Sequence, residues 1–415
     1  MIEAAIVGAG PYGLSIAAHF RRKGLPFRVF GPPMDSWMRH MPKGMMLKSD
    51  GFASNLSHPE GKMTLKEFCE SRGIPYDDTK LPVSLETFVA YGLAFKESVV
   101  PELENKMVTD IEHLGDSFKV TLNDGEQVHT RRVILAVGIT HFAYIPECLT
   151  HLSQEFVSHS YQHQQVETHR GRRVVVIGGG ASAIGLAGLM RTAGVDSQLM
   201  VREPLIEFHG EPSKTERTLY QKIRHPKSGL GPGLRSRFCA NSPELFHFLP
   251  TKLRIEIVRR HLGPSGHWVS KDVVLGQVPM MLGTSVESAQ TKNGKLILRV
   301  RDKDGVRNIE ADHVVAGTGY RVDLERLKFI DPALRTKIKT VQGSPILSSR
   351  FESSVPGLYF VGLAAATSFG PVMRFAYGAD FAARNLTQSI AKTATLGRAI
   401  SPAECSVQQL EEISR

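Results

Sequence analysis

Two stretches of this 415-residue chain share one rhythm: an apolar, β-prone run, a cluster of glycines, then apolar positions recurring at helical spacing. Ile2 to Val7 leads into Gly8-Ala9-Gly10-Pro11-Tyr12-Gly13, after which Leu14 to Phe20 reads as a helix. Far downstream, Arg173 to Ile177 leads into Gly178-Gly179-Gly180-Ala181-Ser182-Ala183 and a small-residue helix through Arg191. A further strand closes each unit, Phe27 to Phe30 in the first and Ser197 to Val201 in the second. Strand, glycine turn, helix and strand make the βαβ unit of a dinucleotide-binding fold. The first glycine allows the tight turn, the second lets backbone approach a pyrophosphate, and the third lets helix and strand pack closely. The helix amino terminus then faces the phosphate charge. Two such turns 170 positions apart predict a protein that brings two dinucleotides together.

Between the units, Phe118 to Leu122, an Asn123-Asp124-Gly125 turn and Gln127 to Val137 read as hairpin strands. Leu296 to Arg301, Lys303-Asp304-Gly305 and Ile309 to Ala316 repeat that passage after the second unit. Each half therefore carries a short antiparallel excursion and returns to its sheet at a glycine. At the far end, Val355 to Gly362 reads as a turn feeding a strand, and Phe369-Gly370-Pro371 leads into a helix over Val372 to Leu386. That arrangement would set another helix amino terminus against the first cofactor. The expected fold class is α/β, with two Rossmann-like dinucleotide-binding domains, the second inserted into the first. The expected spans are 1–165 for the first part of one domain, 166–320 for the inserted domain and 321–415 for the return segment.

Composition narrows the reading only slightly. Apolar residues make up 41% and charged residues 22%, as in a folded globular chain. Lysine and arginine exceed the acids by ten, which calls for an anionic partner. Six of those ten come from Val201 to Leu275, with thirteen basic against seven acidic residues. This stretch is too long for a plain connection inside a Rossmann half, so about 206–275 is expected to form a basic helical insertion over the cofactor cleft. It reads either as an electrostatic funnel or as a solvated basic face. No aromatic stacking platform accompanies it, which argues against nucleic acid. No apolar run approaches the roughly 18 residues of a membrane span, and the opening residues are committed to a strand, which argues against a signal peptide. Cys69, Cys148, Cys239 and Cys405 form no CxxC pair, and the expectation is reduced thiols in a cytoplasmic protein.

Within the second unit, Arg202 follows the second strand, 24 residues past Gly178. A guanidinium there suits a 2′-phosphate and favours NADPH, although Glu203 beside it suits a plain ribose. The first half is assigned FAD through residues 8–13, yet the position after Phe30 holds Gly31-Pro32-Pro33 and no acid for the adenosine ribose. That absence removes about 1 kcal/mol of hydrogen bonding and loosens FAD without excluding it.

The paired turns, the Gly317-Thr318-Gly319-Tyr320 passage and Phe156-Val157-Ser158-His159-Ser160 together resemble the single-component flavin monooxygenases. That family includes the flavin-containing monooxygenases, the Baeyer–Villiger enzymes and the ornithine/lysine N-hydroxylases. Thr318, Gly319 and Tyr320 are similar to its "ATGY" signature, and His159-Ser160 to the "HS" before the NADPH turn. Trp37 to Met41 with Met45-Met46-Leu47 is similar to the segment near the flavin ring in the N-hydroxylase branch. The full FxGxxxHxxxW fingerprint is absent, which counts against ketone oxygenation. Gly362-Leu363 stands where disulfide reductase relatives have "GD", and with no CxxC this counts against disulfide reduction.

The resemblance implies that NADPH reduces FAD, that O2 is trapped as a C4a-hydroperoxyflavin, and that a soft nucleophile of a small-molecule substrate attacks it. N-hydroxylation of an amine or amino acid is the first expectation and sulfur oxygenation the second; relatives are often homo-oligomers. It also implies catalytic roles for Asn55 and Lys48 at the mouth of the site, with Asn55 equally readable as a turn cap. The cofactor-binding set is Gly8, Gly10, Pro11, Tyr12, Gly13, Trp37, Met41, His159, Gly178, Gly180, Ala181, Ser182, Arg202, Thr318, Gly319, Tyr320, Gly362 and Arg374. Trp37 reads equally as a core aromatic and Arg374 equally as a surface arginine. His159, His163 and His169 have no acid or thiol beside them, so no metal is expected and the segment reads as a polar linker. Two rivals stand: an FAD-dependent NAD(P)H oxidoreductase passing electrons to a carrier, and a non-catalytic nucleotide-binding protein of the same fold.

Overall fold

A computed structural model describes residues 1–211, 218, 220 and 224–400. The chain begins with β1 (Ala4–Val7), α1 (Pro11–Arg22) and β2 (Phe27–Phe30), and β1 and β2 pair in parallel from Ala4↔Phe27 to Val7↔Phe30. All four residues of β1 are buried, as in a parallel sheet covered on both faces, where no alternation is needed. After α2 (Asp35–Arg39) come α3 (Leu65–Ser71), begun by a Thr64/Glu67 capping box, and α4 (Leu85–Val99), capped by Ser84. An antiparallel sheet then forms from β3 (Val108–His113), β4 (Phe118–Leu122) and β5 (Gln127–Thr130).

The run from Gln127 to Val137 is two strands and not one. It breaks at Arg131-Arg132, and β6 (Val133–Leu135) leaves the excursion to pair in parallel with β1. The strand β7 (Val157–His159) already belongs to the second sheet, with β8 (Arg173–Ile177), α5 (Ala181–Thr192) and β9 (Asp196–Met200) following. Helices at Leu234–Asn241, Pro243–His247, Thr251–Arg260 and Lys271–Gln277 fill the insertion. The stretch from Pro243 to Arg260 is divided in two, with Pro250 before its second helix. Then come β10 (Met280–Met281), an antiparallel sheet of β11 (Ser285–Lys292), β12 (Lys295–Asp302) and β13 (Gly305–Ala311), and β14 (His313–Ala316). The second parallel sheet has the order β10-β9-β8-β14-β7.

A small pair, β15 (Thr340–Val341) and β16 (Ser344–Pro345), precedes β17 (Leu358–Phe360). This last strand pairs with β6, giving the first sheet the order β17-β6-β1-β2. The closing helix runs over Gly378–Ile400 and packs along α1. It starts later than its apolar spacing predicts, because Phe375 is extended (φ −125°, ψ 155°) and ends a short turn at Pro371–Arg374. Among the described residues no helix is long and apolar enough to cross a membrane. The two Rossmann-like sheets, the second inserted into the first, agree with the expected fold class.

Candidate active site

Steric facts explain the two glycine turns. A Cβ on Gly8 (φ +113°) would stand 2.2 Å from the Ala136 carbonyl oxygen, and one on Gly13 only 1.8 Å from the Gly8 carbonyl oxygen. At Gly10 a Cβ would meet nothing within 4 Å, because that position faces open space. The second turn repeats the logic: a Cβ on Gly178 (φ +139°) would stand 2.3 Å from the Gly317 carbonyl oxygen, while Gly180 faces nothing within 4 Å. Gly10 and Gly180 are the N-caps of α1 and α5, no side chain caps either helix, and neither first turn holds an acid. The first amide N–H groups of both helices are therefore left for a ligand, and their partial positive charge suits a phosphate.

Both turns open onto one cleft of about 820 Å³. Of the residues singled out in the sequence, Gly8, Gly10, Pro11, Tyr12, Trp37, Met41, Lys48, Ala181, Ser182, Gly362 and Arg374 line it. Gly13, Gly178 and Gly180 stand in the turns behind that lining. The Tyr12 hydroxyl lies 3.1 Å from the Met373 carbonyl and 2.9 Å from that of Phe375, tying the first turn to the return segment. The Trp37 ring both lines the cleft and packs edge-on to Phe88 at 4.6 Å. Arg374 donates to the Val258 carbonyl of the insertion at 3.3 Å.

Lys48 Nζ donates to the carbonyl and the hydroxyl of Ser265, at 3.0 and 2.8 Å. Burial, with the nearby Arg374 charge adding to it, pushes the Lys48 ammonium down to about 8. Ser265 and His267 belong to the stretch of the insertion, and His267 lines the cleft. Burial above all pushes the His267 imidazole down to about 4, leaving it neutral beside Lys48.

Other singled-out residues lie outside the lining. Asn55 donates to the Phe52 carbonyl at 3.0 Å and accepts from the Leu65 amide at 2.7 Å, so its amide fastens the turn before α3 and does not face the cleft. His159 is fully buried and bonds the Gly319 carbonyl at 2.9 Å, its ring 5.1 Å from that of Tyr320. Thr318 donates to the Tyr144 carbonyl. His159, Thr318, Gly319 and Tyr320 thus tie the end of β7 and the segment after β14 to the stretch around Tyr144. Arg202 is exposed, 3.8 Å from Glu203, and outside the cleft lining. His163 and His169 do not form a polar linker: both are buried, together with His313.

Three lining features escaped the sequence reading. Asp35 is the only carboxylate among the described lining residues, four positions past Gly31, and its Oδ1 lies 3.1 Å from Arg39 Nε. Reading past the two prolines would have found it. Met107 and Val108 add apolar lining, and His267 adds a neutral imidazole. The distance of these residues from the glycine turns in sequence left no signal. Cys69, Cys148 and Cys239 are free, none lines the cleft, and Cys405 lies outside the described residues.

A model of the pyridine nucleotide-disulphide oxidoreductase family matches residues 5–223, which is more than half of the chain. The chain belongs to that family. Among curated proteins, this oxidoreductase-family chain is 30% identical over 195 residues to a probable indole-3-pyruvate monooxygenase of Arabidopsis thaliana, covering 43% of this chain and 42% of the plant protein. The match spans under half the length of that relative. Among solved structures it is similar to an ornithine N-hydroxylase of Kutzneria sp. 744 with reduced FAD, NADP+ and L-ornithine (16% identity, TM-score 0.74, covering 95% of this chain and 100% of that one). The FAD-bound cadaverine monooxygenase of Erwinia amylovora gives 17%, a TM-score of 0.72 and 94% of each chain. A bacillithiol disulfide reductase of Staphylococcus aureus gives 17%, 0.63, and 94% and 98%. At such identities the likeness is one of fold. The resemblance to the flavin monooxygenases is borne out at that level.

Proposed function

We propose that this protein is an FAD- and NADPH-dependent monooxygenase that oxygenates a soft nucleophile, most readily the nitrogen of an amine or amino acid. The observation that carries the reading is the single cleft onto which both glycine turns open, with uncapped helix amino termini on each side. FAD fits the first turn, where Gly10 offers room for a pyrophosphate and the lining carboxylate Asp35, already paired with Arg39, stands where Gly31 offers no acceptor. NADPH fits the second turn, with Arg202 as the contact to a 2′-phosphate. When bound, the reduced flavin supplies the electrons that activate O2. The chain's own residues bind, orient and exclude water: Trp37, Met41 and the insertion enclose the apolar part, and the cations Lys48 and Arg374 suit a substrate carboxylate. No residue need move a proton for the oxygen transfer, so the lack of an acid–base pair does not count against the reading.

The fold likeness to a disulfide reductase and the family's description favour a second reading, an NADPH reductase that passes electrons to a carrier or small disulfide. No cysteine of the described residues lines the cleft, so such a reductase would work without a dithiol of its own there. The test uses FAD-loaded protein, NADPH and ¹⁸O2 with a panel of diamines, amino acids and thioethers. One labelled oxygen in the product per NADPH consumed supports the proposal. Consumption of NADPH that yields only peroxide, or only reduced acceptor, overturns it.

A further inference from the structure

The segment between β7 and β8, two strands of the second sheet, carries side chains that the cleft does not use. His163 and His169, from the turns after β7, meet His313 at the start of β14, and they are 7%, 6% and 3% exposed. One nitrogen from each lies within 4.8 Å of the others. Ser158 Oγ is 2.6 Å from His163 Nε2 and 2.6 Å from His313 Nε2, and His169 Nε2 is 3.1 Å from His163 Nδ1.

The proton positions follow from one fixed end. His313 Nδ1 lies 2.8 Å from the Glu155 carbonyl and must donate to it, so its Nε2 holds a lone pair. Ser158 then donates to His313 and accepts from His163 Nε2, and His163 Nδ1 accepts from His169 Nε2. The remaining lone pair, on His169 Nδ1, is buried and has no partner. Such an atom in an interior calls for an explanation. Burial holds all three imidazoles below their usual range, and hence in the neutral form that ligates.

We propose that His163, His169 and His313 form a buried site for a borderline divalent transition metal, zinc being the best fit, with the Ser158 hydroxyl or a water completing a tetrahedron. Three imidazoles with no carboxylate in the group suit zinc and not a hard cation. A tetrahedron with Zn–N of about 2.0 Å has edges of about 3.3 Å. One nitrogen from each of the three rings already lies within 4.8 Å of the others, so shifts of about 1.5 Å bring them to such an edge. The bond from His313 to the Glu155 carbonyl is the outer contact that fixes a ligating imidazole in orientation.

The site lies where it can stiffen the link between the two halves. The segment between β7 and β8 also holds the stretch beside Trp37 and Met41 in the first half: Tyr161 O is 3.2 Å from His40 Nδ1, and the Lys43 amide donates to Gln164 O at 3.0 Å. Binding of zinc here fastens β7, the segment that follows it and β14 to one another.

The test treats the full chain with chelator, dialyses it against Zn²⁺, and measures bound metal by mass spectrometry and thermal unfolding with and without Zn²⁺. Expected are about one Zn²⁺ per chain and a rise in Tm on adding it. Both disappear in His313→Gln and in His169→Gln, whose affinity falls about 100-fold or more, and both persist in the exposed His129→Ala. His169→Gln removes the ring with the unpartnered nitrogen and so least disturbs the folded chain. Failure of the wild type to retain Zn²⁺, or equal retention by His169→Gln, overturns the proposal.

Discussion

Gly10 and Gly13 lie three residues apart, and the structure predicts opposite consequences for substituting them. A Cβ at position 13 would stand 1.8 Å from the Gly8 carbonyl oxygen, whereas such a carbon–oxygen contact needs about 3.3 Å. In Gly13→Ala, α1 must therefore withdraw from β1 by about 1.5 Å. Overpacking that side chains can absorb costs about 1–3 kcal/mol; here the obstacle is backbone, so we expect about 3 kcal/mol or more. In a domain of this size that lowers Tm by about 6 °C or more. Gly10 is extended (φ −86°, ψ −169°), a conformation valine adopts, and a Cβ there meets nothing within 4 Å. Gly10→Val should cost the FAD-depleted protein only about 1 kcal/mol through the poorer cap. It should nevertheless raise the Kd for FAD about 100-fold, roughly 2.7 kcal/mol, by filling the space of the pyrophosphate. Thermal unfolding of the FAD-depleted variants and quenching of flavin fluorescence measure the two quantities separately. Equal destabilisation by both substitutions, or an unchanged Kd in Gly10→Val, would refute the reasoning.

Arg202→Ala should raise the KM for NADPH about tenfold or more and leave that for NADH nearly unchanged, since a charge-assisted phosphate contact contributes about 1.5–3 kcal/mol; parallel changes would count against the assignment. Lys48 is cationic below its pKa of about 8 and neutral above it, so affinity for a carboxylate-bearing substrate should fall as pH rises through that value. Lys48→Met should weaken binding at neutral pH about tenfold and flatten the profile, and a profile with the same inflection in the variant would exclude Lys48 as its source. Tyr12→Phe removes the hydroxyl that reaches the Met373 and Phe375 carbonyls, and calorimetry should show a loss of about 1 kcal/mol, or about 2 °C in Tm; an unchanged Tm would show that this bond contributes nothing.

The features legible in the sequence were those that local sterics impose. Only glycine fits at positions 8, 13 and 178, so the turns and the two sheets they serve could be read from spacing alone. The break at Arg131-Arg132 was not legible, because nothing in a continuous β-prone run shows that its first half pairs with β4 and its second with β1. Asn55 carried the right residue type for a donor to a cofactor, but its partners, Phe52 and Leu65, appear only once the turn has folded. His163 and His169 read as linker residues because the third imidazole, His313, comes from a strand 144 positions later. Asp35 was missed for a simpler reason. The ribose acid was sought at the end of β2, and two prolines displace the nearest carboxylate in the lining into α2.

The strand order β17-β6-β1-β2 has a consequence for how the chain matures on the ribosome. Every strand of the second sheet lies between Val157 and Ala316, so that half can fold as soon as this contiguous stretch has emerged. The first sheet has three strands by Leu135 but lacks its edge until Leu358–Phe360 is made, and α1 lacks its packing partner until the closing helix follows. During synthesis β6 therefore presents an open edge while more than two hundred residues are added, and its exposed N–H and C=O groups are a template for wrong pairing. The half that is translated first is the last to close.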